Sequence, residues 1–457
     1  MIRKVTRQLR QSRLVRNSGA MAFMQVAQIA SQLLAVPIFA HQWGLETYGT
    51  WLLLFTIPSY LAVTDLGLTI AATNDMIMNR ARGELEKTAR TYQTLRRAIM
   101  AVGLLVVTLA ALILLLVAPH IVAFAQAATG GHAPLATLLL VCYGVMSLQL
   151  NSVIGGLRAS DRWAQTGLAY AFMFGAETIL AVTLVVLGAN VLGVAFGYFA
   201  VRALALPLFS LWLRRTAPEL VLGPSRFDWG ELKRLARPAL AGLSLPVGIA
   251  LSLQGTVAVV GAQAGLAAVP VFNAVRTLSR VGYQLTNMVS SAAMPLFGVA
   301  TATGQRVKQA SLLIVSLGTC AAVLIPVLLV LSIFGRDIVL LWTHDAIRPD
   351  QSFVTAMAVV MVLNAVWMAL SNIMLSINRH ESFAWLYLLL SVASVGLTWW
   401  LAGILGPLGA ALSLIFLDGV MLAYLIFAVA RSGLFTRTDF LRAGHELTVR
   451  GRGLLGA

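Results

Sequence analysis

Val269-Pro270-Val271-Phe272-Asn273-Ala274-Val275-Arg276-Thr277-Leu278-Ser279-Arg280-Val281-Gly282-Tyr283-Gln284-Leu285-Thr286-Asn287-Met288-Val289-Ser290-Ser291 is an apolar stretch with a polar stripe laid through it. Asn273, Arg276, Thr277, Arg280, Gln284, Asn287 and Ser291 recur at steps of three and four. At about 100° per residue they share one helix face, within an arc of roughly 100°. The other faces, continued to Thr301, carry Val, Leu, Ala, Met and Phe. An arginine at the centre of a membrane helix costs about 2.5–3.5 kcal/mol on insertion scales. Two on one stripe call for water, a partner charge or a ligand. The stripe therefore predicts a water-filled, anion-binding cavity lined by Asn273, Arg276, Arg280, Gln284 and Asn287.

The rest of the chain places that helix in a bilayer. Of 457 residues, 59% are hydrophobic and 11% charged, with mean hydropathy +0.85. A soluble domain carries about 25% charged residues. Many apolar runs reach the 18 or more residues needed to cross a membrane. The short alternating segments of a β-barrel are absent. Cys142 and Cys320 fall in separate apolar runs and read as small apolar residues, not as a disulfide or metal site.

Twelve spans are predicted: 18–40, 48–72, 98–118, 135–157, 164–187, 191–213, 238–260, 268–300, 309–335, 351–377, 382–403 and 406–430. Both ends of the chain then lie on one side, together with 28 of the 33 Lys+Arg. Only Arg336 and Arg348 fall in opposite-side loops, and Arg202, Arg276 and Arg280 fall within spans. That asymmetry makes the basic side cytoplasmic. It also accounts for the net charge of +16 through anionic headgroups, with no need of nucleic acid. The basic start, 1–17, reads as a cytoplasmic tail, and the run behind it as a first helix long enough to span, not a cleaved leader.

The domain plan is a tail (1–17), a six-helix lobe (18–213), a basic cytoplasmic linker (214–237), a second six-helix lobe (238–430) and a cytoplasmic tail (431–457). The linker reads as a plain solvated connector, with a short surface helix over 228–237 as the alternative. The opposite-side loops are short and leave no room for an outer domain. Two sixes that both start in the cytoplasm predict a parallel repeat. Asn190-Val191-Leu192-Gly193 before span six and Gly406-Pro407-Leu408-Gly409 before span twelve support it modestly, as do Gly44-Leu45 and Gly265-Leu266.

At this point the chain resembles the Wzx-type polysaccharide flippases of the multidrug/oligosaccharidyl-lipid/polysaccharide (MOP) exporter superfamily. The resemblance is carried by Arg16-Asn17-Ser18-Gly19, Trp43-Gly44-Leu45-Glu46-Thr47-Tyr48-Gly49, Thr64-Asp65-Leu66-Gly67-Leu68 and the Leu-Gly pairs that open spans six and twelve. It extends from about 14 to 431. It implies an all-α polytopic membrane protein, with two six-helix lobes (MATE/MOP-like) around a central cavity lined largely by spans one, two, seven and eight. It further implies alternating access and movement of an undecaprenyl-diphosphate-linked saccharide from the inner to the outer leaflet of a bacterial inner membrane. That step serves surface polysaccharides such as lipopolysaccharide O-antigen or exopolysaccharide, alongside other polysaccharide-assembly membrane proteins. Some relatives place cations in span one, where this chain has Gln25, Gln28 and Gln32 on one face. These glutamines are expected either to bond between helices or to line the cavity opposite the arginines.

Depth along each helix, at about 1.5 Å per residue, sorts the charged residues. Arg280 and Asp418 both lie about 18 Å in from the outer ends of their spans, so a structural pair competes with ligand binding at Arg280. Arg276, about 12 Å in, has no acid at its depth and is the stronger ligand candidate. Guanidinium forks suit phosphate oxygens and stay charged. Glu177 and Arg202, both near 16 Å in adjacent spans, are expected to form a buried structural pair, with a coupling role for Glu177 as the alternative. Asp65, near the cytoplasmic boundary, and Asp418 are further gating or coupling candidates. Pro246, Pro295 and Pro326 can bend their helices. Trp43, Tyr48, Trp342, Trp399 and Trp400 read as interfacial belt.

No P-loop, H-E-x-x-H, nucleophile elbow or Cys/His cluster occurs, so no catalytic residue, metal or cofactor is expected. A multidrug or organic-cation antiporter of the same fold is the first rival reading. The arginine stripe argues against it. A polytopic polysaccharide polymerase or ligase is the second, and the short outer loops argue against that.

Overall fold

A computed structural model describes residues 2–61, 67–129, 131–222, 227–241, 243–376, 381–433, 436 and 438–446. Helix side chains at 2–24, 117–129, 222, 237–241, 285, 287–296, 298–299, 302, 376 and 381–382 lie outside that description. No strand occurs among the described residues. In order, the helices are α1 (Ile2–Leu61), α2 (Leu68–Ala81), α3 (Leu85–Thr129), α4 (Ala133–Ala159), α5 (Trp163–Val186), α6 (Val191–Thr216), α7 (Pro218–Leu222), α8 (Trp229–Ala241), α9 (Ser244–Ala250), a π turn (Leu251–Gly255), α10 (Thr256–Ala264), α11 (Ala268–Ala302), α12 (Arg306–Thr343), α13 (Gln351–Ser376), α14 (Glu381–Leu405) and α15 (Pro407–Arg431).

Nine stretches among the described residues are long and apolar enough to cross a membrane. α9, the π turn and α10 together form one of them, Ser244–Ala264. α11 and the two parts of α1 fit the remaining three of the twelve expected spans. Gly44 divides α1, at φ 72° and ψ 171°, a conformation open to glycine and strained for other residues. The outward faces fit a lipid solvent. Leu115 is 78% exposed and Leu341 80%, while Ser394, Thr398 and Ser413 are fully buried. Large exposed apolar faces of this kind belong in hydrocarbon, not water.

The chain forms two compact units, Met1–Ala250 and Leu251–Ala457. In the first, α4 sits centrally, packed on α6, α3 and α1. Its core holds Met76, Tyr92, Leu150, Leu157, Phe209 and Leu213. Around the Gly44 bend, Phe39, Trp43, Tyr48, Trp51 and Phe55 pack ring to ring, and the Trp43 indole donates to the Ala189 carbonyl at 2.9 Å. Tyr48 is therefore core, not interfacial belt: it is 3% exposed. Sequence pattern alone did not separate a ring facing headgroups from one folded under a bend.

In the second unit α13 is central, packed on α11, α12 and α15, with Phe353, Met361 and Trp367 buried. α15 opens at Pro407, behind Gly406 at φ 58°. At Gly409 the α14 backbone at Leu401 comes so close that any Cβ would collide with it. The short Gly406–Gly409 string is thus a close helix crossing. Cys142 is half-buried in the first unit and Cys320 is buried in the second.

The described residues of the 214–237 linker are largely helical, not a plain connector. α6 runs on to Thr216, α7 follows, and α8 continues to Ala241, so the next helix starts at Ser244 instead of 238. Asp228 caps α8, its carboxylate accepting from the Gly230 and Glu231 backbone N–H groups at 2.8 and 3.1 Å. Leu235 is buried against Ala72, Leu95, Ile99 and Leu148. Arg234 reaches both oxygens of Asp75 at 2.8 and 2.6 Å and Glu231 at 2.6 Å. The Thr91 hydroxyl lies 2.6 Å from Glu231 and 3.0 Å from Asp75, and Asn79 donates to Asp75 at 2.8 Å. Paired hydrogen bonds from one guanidinium to one carboxylate fix orientation as well as charge. Several expected loops are helical too: α3 covers 85–129 and α12 covers 306–343, both beyond the predicted spans.

Candidate functional site

α11 is a 35-residue helix, and its polar stripe lies within the second unit. Arg276 is half-buried. Its Nη1 donates to the Leu253 carbonyl at 2.7 Å, and its Nη2 lies 3.4 Å from the Asn273 side-chain oxygen. The guanidinium also sits over the Phe272 ring, 5.6 Å from its centre. Leu253 belongs to the π turn. π turns shift the helical hydrogen-bond ladder and recur at functional sites. No carboxylate pairs with Arg276 among the described residues.

Arg280, one turn further on, is half-buried and lies within electrostatic range of Arg276 and Tyr283. It too has no acidic partner among the described residues. The depth argument allowed a pair with Asp418, and no such ion pair is found there. Asp418 is 2% exposed and accepts instead from the Trp367 indole at 2.7 Å and the Asn364 amide at 3.1 Å, both on α13. Equal depth on two helices did not place their side chains on facing sides. α15 presents Asp418 to α13, and α11 touches α15 only slightly. Gln284 is buried, and its amide oxygen has no hydrogen-bond partner among the described residues. The side chains of Asn287 and Ser291 lie outside the described residues.

The first unit holds the other charged pair. Glu177 on α5 and Arg202 on α6 are 1% and 3% exposed and form a direct ion pair through Arg202 Nε. Arg202 Nη2 reaches a second carboxylate oxygen and the Tyr143 hydroxyl, each at 3.2 Å. The guanidinium lies near the Tyr143 and Tyr170 rings, 5.0 and 5.6 Å from their centres. The charge of Arg202 is thus met by Glu177, with Tyr143 and Tyr170 beside it. Gln25, Gln28 and Gln32 on α1 are half-buried, and Asp65 lies outside the described residues.

Three parts of this arrangement had no place in the sequence reading: the π turn, Phe272 under Arg276, and the Asn364/Trp367 pair on Asp418. The last had a signal, a polar and an indole side chain three residues apart in an apolar helix, which puts both on one face. The π turn had none.

No protein-family model matches the chain, and no curated protein matches it by sequence. Solved structures do match it. An inward-facing multidrug resistance MATE family transporter of the MOP superfamily superposes with TM-score 0.69 at 15% identity, over 96% of this chain and 99% of that one. The lipid II flippase MurJ, in an inward closed conformation, superposes with TM-score 0.67 at 13% identity, over 94% and 90%. A MOP superfamily transporter from Pyrococcus furiosus Vc1, described as having a binding pocket of reverse polarity, superposes with TM-score 0.59 at 16% identity, over 95% of each chain. At these identities the likeness is one of fold. The chain has the all-helical fold shared by the MATE transporters and the MurJ flippase of the MOP superfamily.

Proposed function

We propose that this protein is a flippase for an undecaprenyl-diphosphate-linked oligosaccharide in a bacterial inner membrane, working by alternating access in a surface-polysaccharide pathway. Its termini and the 214–237 segment lie in the cytoplasm, and it carries out no covalent chemistry. The observation that carries this reading is the pair Arg276 and Arg280, one helical turn apart, half-buried and without a carboxylate among the described residues. Two permanently charged forks at that spacing suit the oxygens of a diphosphate. Arg202, by contrast, is spoken for by Glu177. Asn273 and Gln284 on the same stripe supply neutral hydrogen-bonding groups, and the MurJ likeness supports a lipid-linked substrate class.

The test is flipping of a fluorescent undecaprenyl-diphosphate-saccharide in proteoliposomes. Wild-type protein is expected to flip it, with Arg276→Ala and Arg280→Ala each losing at least tenfold in rate while remaining folded; the loss of one charge-assisted hydrogen bond is worth about that factor. Equal rates in all three would remove the arginines from the site.

A second reading, an organic-cation antiporter, is favoured by one observation. Asp418 is a deeply buried carboxylate whose hydrogen-bond partners among the described residues, Asn364 and Trp367, are neutral. Under that reading an Asp418→Asn variant loses drug export in a susceptibility assay and the arginine variants keep it.

A further inference from the structure

On the α11 stripe Gln284 stands one turn beyond Arg280, about 6 Å further along the axis. It is 7% exposed, and its amide oxygen has no hydrogen-bond partner among the described residues. Burying a polar group without a partner costs free energy. Buried hydroxyls of the same helix avoid that cost locally. Ser279 donates to the Val275 carbonyl at 3.0 Å, and Thr286 to the Tyr283 carbonyl at 2.9 Å. An amide oxygen has no proton to give a carbonyl, so it needs a donor from elsewhere. Its direction follows from its neighbour. Gly282 lies so close to Met361 of α13 that any Cβ would collide with that side chain. Two residues on, at about 100° each, Gln284 is on nearly the opposite face, alongside Arg280.

The guanidinium groups of Arg276 and Arg280 only donate, and an ionised diphosphate only accepts. The Gln284 oxygen accepts, so the diphosphate cannot satisfy it. The hydroxyls of a saccharide joined to that diphosphate can. We propose that Gln284 is a specificity-determining residue for the saccharide: its amide oxygen accepts from a hydroxyl of the sugar bonded directly to the diphosphate, while Arg276 and Arg280 hold the diphosphate itself. The inference rests on the flippase reading above and deepens it, by giving the sugar a residue of its own. The order Arg276, Arg280, Gln284 along α11 also sets the direction of the bound head group. The diphosphate lies at the arginines and the first sugar one turn on, towards the Ala302 end of the helix. A carrier lipid without its sugar leaves the oxygen unpaired, so Gln284 favours the loaded carrier over the spent one.

Two measurements on the purified full-length protein in detergent test this. The first needs no ligand: the thermal unfolding midpoint of Gln284→Leu against wild type. Leucine replaces an unpaired amide with an apolar group, so the midpoint is expected to stay or to rise. The second is the affinity for undecaprenyl diphosphate and for the same lipid carrying glucose, galactose or N-acetylglucosamine. Wild type is expected to bind at least one sugar-bearing lipid about tenfold more tightly than the bare one, the scale of one hydrogen bond. Gln284→Leu is expected to bind that lipid and the bare one alike. Arg276→Ala is expected to weaken both and to keep the preference.

A lower midpoint in Gln284→Leu marks the amide as a structural group and overturns the proposal whatever the affinities. Equal wild-type affinity for the bare lipid and every sugar-bearing one also overturns it, as does a preference that survives in Gln284→Leu. Both of those outcomes leave the diphosphate at the arginines and the flippase reading standing. If wild type binds neither the bare lipid nor any sugar-bearing one, the flippase reading fails, and the sugar role of Gln284 fails with it.

Discussion

Arg202 and Arg276 are the same side chain in bilayer-spanning helices with opposite surroundings. Arg202 has a carboxylate, a tyrosine hydroxyl and two nearby tyrosine rings. Arg276 has a backbone carbonyl, a long contact to an amide and one ring. Removing one partner of a buried pair leaves the other charge uncompensated, at a cost of about 3–5 kcal/mol. Glu177→Gln is therefore expected to destabilise the protein by about that amount, read as a large drop in the unfolding midpoint in detergent. Arg276→Ala leaves no orphaned charge behind and is expected to shift stability by less than about 1 kcal/mol. A stability loss for Arg276→Ala as large as that for Glu177→Gln would make Arg276 a structural residue. At this scale the sequence was legible for charge and depth. Spacing put the polar residues on one face of α11, and rise per residue put Glu177 level with Arg202. Azimuth was not legible, because it depends on how each helix is rotated against its neighbours. Arg280 and Asp418 are level by the same arithmetic, yet Asp418 is bound from α13.

Among the elements, α8 departs most from the sequence reading. Its start was written in Asp228 and Glu231, a capping residue and an acid three positions apart, and its docking in Leu235 and Arg234. The basic character of the segment obscured both. The docking has a pH signature. For Asp75, burial pushes the carboxyl up, but the hydrogen bonds from Arg234, Thr91 and Asn79 and the Arg234 charge outweigh it and hold the carboxyl below its usual range. Glu231 is lowered chiefly by its bond from Arg234. A depressed folded-state pKa gives stability that is complete above the unfolded value and lost as pH falls through the folded one. α8 is thus expected to stay docked at neutral pH and to loosen only below about pH 4. A spin label at position 233 reports this as a mobile spectrum in acid, and Arg234→Ala is expected to give the same spectrum at pH 7. A label already mobile at neutral pH in wild type would contradict the clasp. The π turn is the opposite case. Leu251-Ser252-Leu253-Gln254-Gly255 carries no sequence signal for it; in the fold that stretch packs against α14 and its Leu253 carbonyl receives Arg276.

For the whole molecule, composition and run length were enough for an all-helical membrane protein, and the structure bears that out with the exposed apolar faces of α3, α5 and α12 and the small, polar contacts inside. Fold likeness to both a multidrug transporter and a lipid flippase leaves substrate class to local chemistry. That chemistry comes down to which charge in the second unit meets the ligand: the guanidinium of Arg276 or the carboxylate of Asp418. The most direct measurement is ligand-induced thermal stabilisation of the purified protein by undecaprenyl diphosphate and, in parallel, by an organic cation such as ethidium. The expected result is stabilisation by the diphosphate, abolished by Arg276→Ala and kept in Asp418→Asn, with no response to the cation. Stabilisation by the cation, abolished by Asp418→Asn and indifferent to Arg276→Ala, would contradict the account.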